Sequence, residues 1–314
     1  MHGVMLQMGA LVVAGVLWRR LEPGGLSADT VRRVLSGVVF HLLLPALVMR
    51  VLWKAPLTAD TARIAGSAVT GIAAGLCLGF VIYRLWRLPR AVTGAMLLAA
   101  TFGNITYFGL PVLQATYGEW AREVAIVYDL FASTPLLFTL GVALARGHAP
   151  QGPDDGESAR RGVTREATHA LLRTPALWGA VLAVTLNATG VPLPRVLDEL
   201  FALAGAGVVP LMIFAVGLAL RLEGASPRAL LRIAPTVLLR LLLVPAVVLG
   251  VATLLGTTGE LRAAITLEAG MPTMVLGLVL CDRYGLDTSL YALAVTVSTA
   301  LSALTLPLWQ ALAG

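Results

Sequence analysis

Residues 103–118 read GNITYFGLPVLQATYG and sit inside a long apolar run, 91–117. Pro111 removes one backbone donor and crowds the preceding turn, and Gly109 loosens the chain beside it. A second apolar run, 261–281, carries Gly270-Met271-Pro272-Thr273 at a similar depth. A helix broken inside such a run leaves carbonyls bare at one half-end and N–H groups bare at the other. In an apolar medium this is tolerated only where protein or a water-filled cavity satisfies them. Two such runs in one chain therefore predict breaks that face other protein or a water-filled cavity.

The rest of the chain says what that medium is. Of 314 residues, 58% are hydrophobic and 13% charged, and the mean hydropathy is +0.85. Soluble domains carry about 25% charged residues, so a soluble enzyme, a nucleic-acid binder and a disordered chain are all excluded. The expected surroundings are a lipid bilayer. Apolar stretches bounded by charge, Gly or Pro fall at 3–18, 34–53, 64–86, 91–117, 121–145, 174–190, 200–220, 229–256, 261–281 and 288–312, each about the length of a membrane span. The first has no basic residues before it, and Arg19 and Arg20 follow it, so it reads as a retained helix and not a signal peptide.

The basic residues test the count. With ten spans, sixteen Lys or Arg fall on one face and six on the other, and Arg240 is left inside a span. That bias places the richer face in the cytoplasm and both termini outside. A miscounted span would invert every later loop and blur the bias. The one long connection, GHAPQGPDDGESARRGVTREAT, is rich in Gly, Pro and charge with no apolar period, and reads as a flexible cytoplasmic linker. It divides the chain into 1–146, a linker at 147–173, and 174–314, with five spans in each half.

Five is odd, so homologous halves would lie upside down relative to one another. Matched features recur at similar offsets: Pro45 with Pro210, Pro111 with Pro272, and Ser133-Thr134 with Ser298-Thr299. The expected fold is an all-α polytopic membrane protein of ten transmembrane helices, built as two inverted five-helix repeats with helices 4 and 9 broken. Inverted repeats of this kind belong to secondary transporters, whose site lies near the midplane between the halves.

The breaks frame an expected substrate site of Asn104, Gly109, Pro111, Gly270, Pro272 and Thr273. Half-helix N-termini near Pro111 and Pro272-Thr273 would aim partial positive charge at one point. Such a field suits a carboxylate without requiring a Lys or Arg at the centre. Asn104 adds an amide that both donates and accepts. Ionisable groups at the bilayer centre cost about 2.5–3.5 kcal/mol each on insertion scales, so Glu268 and Asp129 are candidates for the coupling-ion site. Each binds a cation if ionised or carries a proton if not, and each could instead be a hydrogen-bonded packing group. Glu268 is favoured by its closeness to Pro272. Arg240 either attracts anions or pairs with one of these acids, and His41 reads as a packing residue. Gly71, Gly75 and Gly79 read as close packing within one subunit, with a homodimer contact the lesser reading. The six Trp residues lie near span ends, as an aromatic belt would require.

GNITYFGLPVLQATYG resembles the GN…GxP…G signature of the auxin efflux carrier family, whose bacterial members include malonate- and malate-type permeases. MPTMVLGLVLCDRYGLD, residues 271–287, is similar to that family's second crossover. The likeness extends through Ser298-Thr299 and Leu306-Pro307-Leu308, and so over essentially the whole chain. It implies the fold of bile-acid/sodium symporters, with two crossed broken helices. Where bacterial members often carry Thr-Gly-Phe after the Asn, this chain has Ile105-Thr106-Tyr107, so no particular relative's substrate is implied.

The expected function is a secondary active transporter or uniporter that moves a small organic anion, a carboxylate, across the cytoplasmic membrane by alternating access. No cofactor, metal or nucleic acid is expected, and H+ or Na+ is the possible coupling ion. Cys77 and Cys281 read as packing residues. The sequence has no phosphate-binding loop, no H-E-x-x-H and no G-x-S-x-G, which argues against ATP-driven transport and against an intramembrane enzyme. A sensor or scaffold built on a transporter fold is the alternative.

Overall fold

The computed structural model describes residues 2–56, 58–150, 165, 168–221 and 225–314. These residues are all-helical apart from the connections. The elements are α1 (His2–Leu21), α2 (Ala28–Lys54), α3 (Ala59–Trp86), α4 (Arg90–Thr101), α5 (residues 105–117), α6 (Ala121–Gly147), α7 (Pro175–Ala188), α8 (Arg195–Ala219), α9 (Pro227–Leu254), α10 (Gly259–Ala269), α11 (Gly277–Tyr284) and α12 (Thr288–Ala313). Each predicted apolar stretch falls on a helix or, at 91–117 and 261–281, on two. Six of them, α2, α3, α6, α8, α9 and α12, are long and apolar enough to cross a membrane. Most of the predicted linker 147–173 lies outside the described residues, although 168–172 are helical.

Several of these helices are kept continuous through proline by the same local device. Proline has no N–H and its ring displaces the carbonyl four residues back. One turn then widens so that the residue before proline reaches five residues back instead. Thus Leu44 donates to Val39 ahead of Pro45, Leu110 to Ile105 ahead of Pro111, Thr134 to Asp129 ahead of Pro135, and Val244 to Leu239 ahead of Pro245. Pro245 still frees the carbonyl of Leu241, and the indole N–H of Trp309 donates to it at 2.7 Å. Trp309 is buried, so it serves this interior bond and is not part of an interfacial belt.

Two sets of helices result. In the first, α1 packs on α8, and α2 packs on both α7 and α8. Ion pairs hold its ends: Asp198 of α8 pairs with Arg50 (2.8 Å) and Lys54 (2.7 Å) of α2, while Asp29 of α2 pairs with Arg19 (3.0 Å) of α1 and Arg221 (2.5 Å). In the second, α3 packs on α4, α6 and α9, and α10 and α4 both pack on α12. Glycine makes the α3–α4 approach possible, since a Cβ on Gly75 would stand 2.5 Å from the carbonyl oxygen of Ala100. Gly71 faces Tyr128 and Val248, and Gly79 faces Leu97, so this glycine stripe packs within the chain. The outer surface stays apolar: Leu21, Leu85, Leu203, Leu254 and Leu304 are 73–87% exposed. Water would disfavour such a surface, whereas lipid accepts it.

Candidate functional site

The two broken helices cross and pair. Thr101 ends α4, Phe102 turns extended (φ −108°, ψ 119°), and Gly103 lies antiparallel to Thr273. The N–H of Asn104 donates to the carbonyl of Pro272 (2.7 Å), and that of Met274 donates to Phe102 (3.1 Å). The breaks therefore satisfy part of each other's backbone, as an apolar surrounding demands. The run 261–281 opens around Pro272, as its sequence implies, although its second helix begins only at Gly277 and not at Pro272-Thr273, and the run 91–117 opens at 102–104. Pro111 lies well inside α5, its missing donor absorbed by the widened turn Ile105–Gly109. The second half-helix of this run consequently begins at Asn104-Ile105, not near Pro111.

Arg240 fastens the other ends. It reaches in from α9, is 2% exposed, and donates from Nη1 to the carbonyl of Thr101 (3.2 Å) and from Nε to that of Met271 (3.0 Å). Nη2 donates to Ala269. The last carbonyls of both half-helices thus share one guanidinium. Gly103 permits this, because a Cβ there would stand 3.0 Å from Nη2.

Thr273 is equally tied down: its N–H donates to Ser298 Oγ (3.1 Å) and its hydroxyl to the carbonyl of Ala99 (3.1 Å). Tyr291 of α12 donates its hydroxyl to the carbonyl of Met274 (2.9 Å).

Beside the first break lies a cavity of about 50 Å³, walled by Asn104, Ile105, Thr106 and Tyr107, by Asp129 and Thr134 of α6, by Phe40 and Leu44 of α2, and by Thr174 and Met274 among others. Its walls come from both helix sets. Asn104 is 3% exposed and its Nδ2 has no hydrogen-bond partner, so a buried donor stands available at the cavity wall. Asp129 accepts hydrogen bonds from Thr106 Oγ1 and, at 2.9 Å, from Thr134 Oγ1. A larger cavity of about 320 Å³ between α1, α5 and α12 is almost wholly apolar and offers little to orient a polar solute.

Of the six expected substrate residues, Asn104 is the one that lines the smaller cavity. Gly270 packs behind the crossover against Pro245 and Trp309, and Pro272 contributes its carbonyl to Asn104. Gly109 meets Glu268, whose carboxylate a Cβ at Gly109 would overlap. Glu268 is completely buried and neither carboxylate oxygen has a hydrogen-bond partner. It stands away from the cavity wall, whereas Asp129 is part of it. His41 faces outward and bonds its own helix at Gly37 (2.9 Å). Among the described residues no group of three or more His, Cys, Asp or Glu is placed to hold a metal ion. Thr106, Tyr107 and Thr134 are site residues to which the sequence assigned no role, whereas Arg240, expected to attract anions or to pair with Asp129 or Glu268, bonds backbone carbonyls instead. Two signals were available: Ser133-Thr134 belongs to a recurring pair, and Arg240 is the basic residue stranded within a span.

Known proteins resemble this chain over most of its length. An uncharacterized transporter of Methanothermobacter thermautotrophicus is 29% identical over 314 residues, covering 98% of this chain and 96% of the relative. The uncharacterized transporter YfdV of Escherichia coli is 23% identical over 280 residues, 88% of this chain and 87% of the relative. One from Methanocaldococcus jannaschii is 22% identical over 295 residues, 91% of each. The family described as membrane transport protein matches residues 5–310. With several apolar helices of spanning length and this match over nearly its whole length, the chain is a multi-pass membrane protein that belongs to the membrane transport protein family, that of the auxin efflux carriers.

Proposed function

We propose that the chain carries a small organic anion, a carboxylate, across the cell membrane by alternating access, with its site at the cavity beside the first break. The observation that carries this reading is the buried, unpartnered amide of Asn104 at the start of a half-helix, where unsatisfied N–H groups and the helix dipole favour negative charge. The reading includes ten membrane crossings as two inverted sets of five, both termini outside and the 147–173 connection in the cytoplasm. The matched half-chain features and the arginine bias support it.

The cavity as it stands has room for only a few waters. A carboxylate therefore enters when the α2–α7 wall and the crossover separate, and opening toward alternate sides gives transport. Asp129 faces the same space. Two negative charges close together in a low-dielectric site repel strongly, so in this scheme Asp129 holds a proton when the anion is bound. Binding then couples anion to proton, each favouring the other.

The test is uptake and counterflow of a panel of mono- and dicarboxylates in proteoliposomes, with imposed pH, sodium and voltage gradients. Saturable, ATP-independent flux that rises with an inward proton gradient is expected. Absence of flux for every carboxylate contradicts the substrate class.

A further inference from the structure

We infer that Arg240 is the resident cation of the crossover, filling between the two broken helices the place that a bound metal cation would otherwise take. Three carbonyl oxygens, from Thr101 on one chain segment and Ala269 and Met271 on the other, converge on it. Carbonyls at helix C-termini carry partial negative charge, and converging carbonyls are a ligand set that hard cations accept. The guanidinium supplies the matching positive charge, and it cannot be deprotonated within a protein. Its charge is therefore present at every stage of a transport cycle and at every pH the cell meets.

The surroundings fit this role better than they fit a packing arginine. Among the described residues Arg240 forms no ion pair with a carboxylate; its bonds go to neutral carbonyls. A fully buried guanidinium outside ion-pair distance of any carboxylate is costly, and the two negative helix ends, together with the Coulombic attraction of the buried Glu268 carboxylate, offset that cost. Gly103 leaves the opening through which Nη2 approaches. Arg240 is not among the residues that wall the cavity, so it is a positioning residue. It fixes where Phe102–Asn104 runs, and hence where the Asn104 amide stands.

Removing the side chain should leave an empty cation site. Arg240→Ala is expected to lose at least tenfold in carboxylate exchange flux. Guanidinium chloride, at concentrations far below denaturing ones, should raise the melting temperature of this variant but not of the wild type, and restore part of its flux. Choline chloride at equal ionic strength should do neither. A second pair guards against failure to fold: Arg240→Lys keeps a charge near the carbonyls, while Arg240→Met keeps length alone, so Lys should retain more flux and a higher melting temperature. If guanidinium acts on variant and wild type alike, or if Met matches Lys, Arg240 is packing and the inference is overturned. The flux readout rests on the transport reading above and the thermal readout does not. Thermal rescue without any carboxylate flux would uphold the cation site and sink the substrate proposal.

Discussion

The two breaks are built from similar means and left in opposite states. At the second, Met271 and Thr273 are wholly buried, and the bonds of the break itself are committed, Met271 to Arg240, Thr273 to Ser298 and Ala99, Met274 to Tyr291, while the unpaired carboxylate of Glu268, one turn before it, lies off the cavity wall. At the first, Asn104, Thr106 and Tyr107 face a cavity, and the Asn104 amide has a donor to spare. A buried polar group is normally paired, so one left unpaired at a cavity wall is a candidate for a ligand's partner. On the proposed reading, the second break anchors and the first recognises.

The contact between the half-helices beside the breaks, Gly109 of α5 against Glu268 of α10, should be the most sensitive to change. Gly109→Ala drives a methyl into the Glu268 carboxylate, and overpacking of this kind costs about 1–3 kcal/mol. Thermal unfolding in detergent should show the largest loss of stability in the series. In a Glu268→Ala background the same substitution should cost less, by about 1 kcal/mol. Equal costs in both backgrounds would mean that α5 and α10 are not in contact through this pair.

Asp129→Asn should come next, acting on function and sparing the fold. It keeps shape and hydrogen bonding and removes titration. Net uptake driven by an inward proton gradient should fall to the level seen without a gradient, while exchange at equal pH persists. Glu268→Gln should leave that dependence intact, since Glu268 lies off the cavity wall. The reverse pattern would move coupling to the region between the breaks.

Smaller effects separate recognition from anchoring. Thr106→Val removes a hydroxyl from which Asp129 accepts a hydrogen bond, worth about 1 kcal/mol; the melting temperature should drop by about 2–4 °C, and the pH profile of uptake should shift with it. Thr273→Val removes the bond to Ala99, again about 1 kcal/mol. There the melting temperature should drop by about 2–4 °C with the substrate KM unchanged. A changed KM for Thr273→Val would erase the distinction between the breaks.

The apolar runs and their ends were legible because hydropathy alone sets them, and every run became helix. The location of the first break was not. Pro111 is the visible breaker, yet a helix can absorb proline by widening one turn, as it also does before Pro45 and Pro245. What opens the chain at Phe102–Asn104 is pairing with residues 271–274, a partner about 170 positions away that no local pattern announces. Arg240 was conspicuous as a charge inside a span, but its partners are backbone carbonyls, and these leave no trace in sequence. Asn104 could be singled out because an amide beside a break is chemically specific, whereas Thr106 and Thr134 resemble many other hydroxyls in apolar helices.

The central claim is that the first break holds the substrate, and Asn104→Ala tests it most directly. For whichever carboxylate the wild type carries, initial uptake rates across a concentration series should give a KM raised about tenfold or more, as expected for losing a hydrogen bond to a charged group. The melting temperature should remain within a degree or so of wild type, because Nδ2 bonds nothing in the resting protein. Normal KM with normal expression would contradict the account and take recognition away from this break.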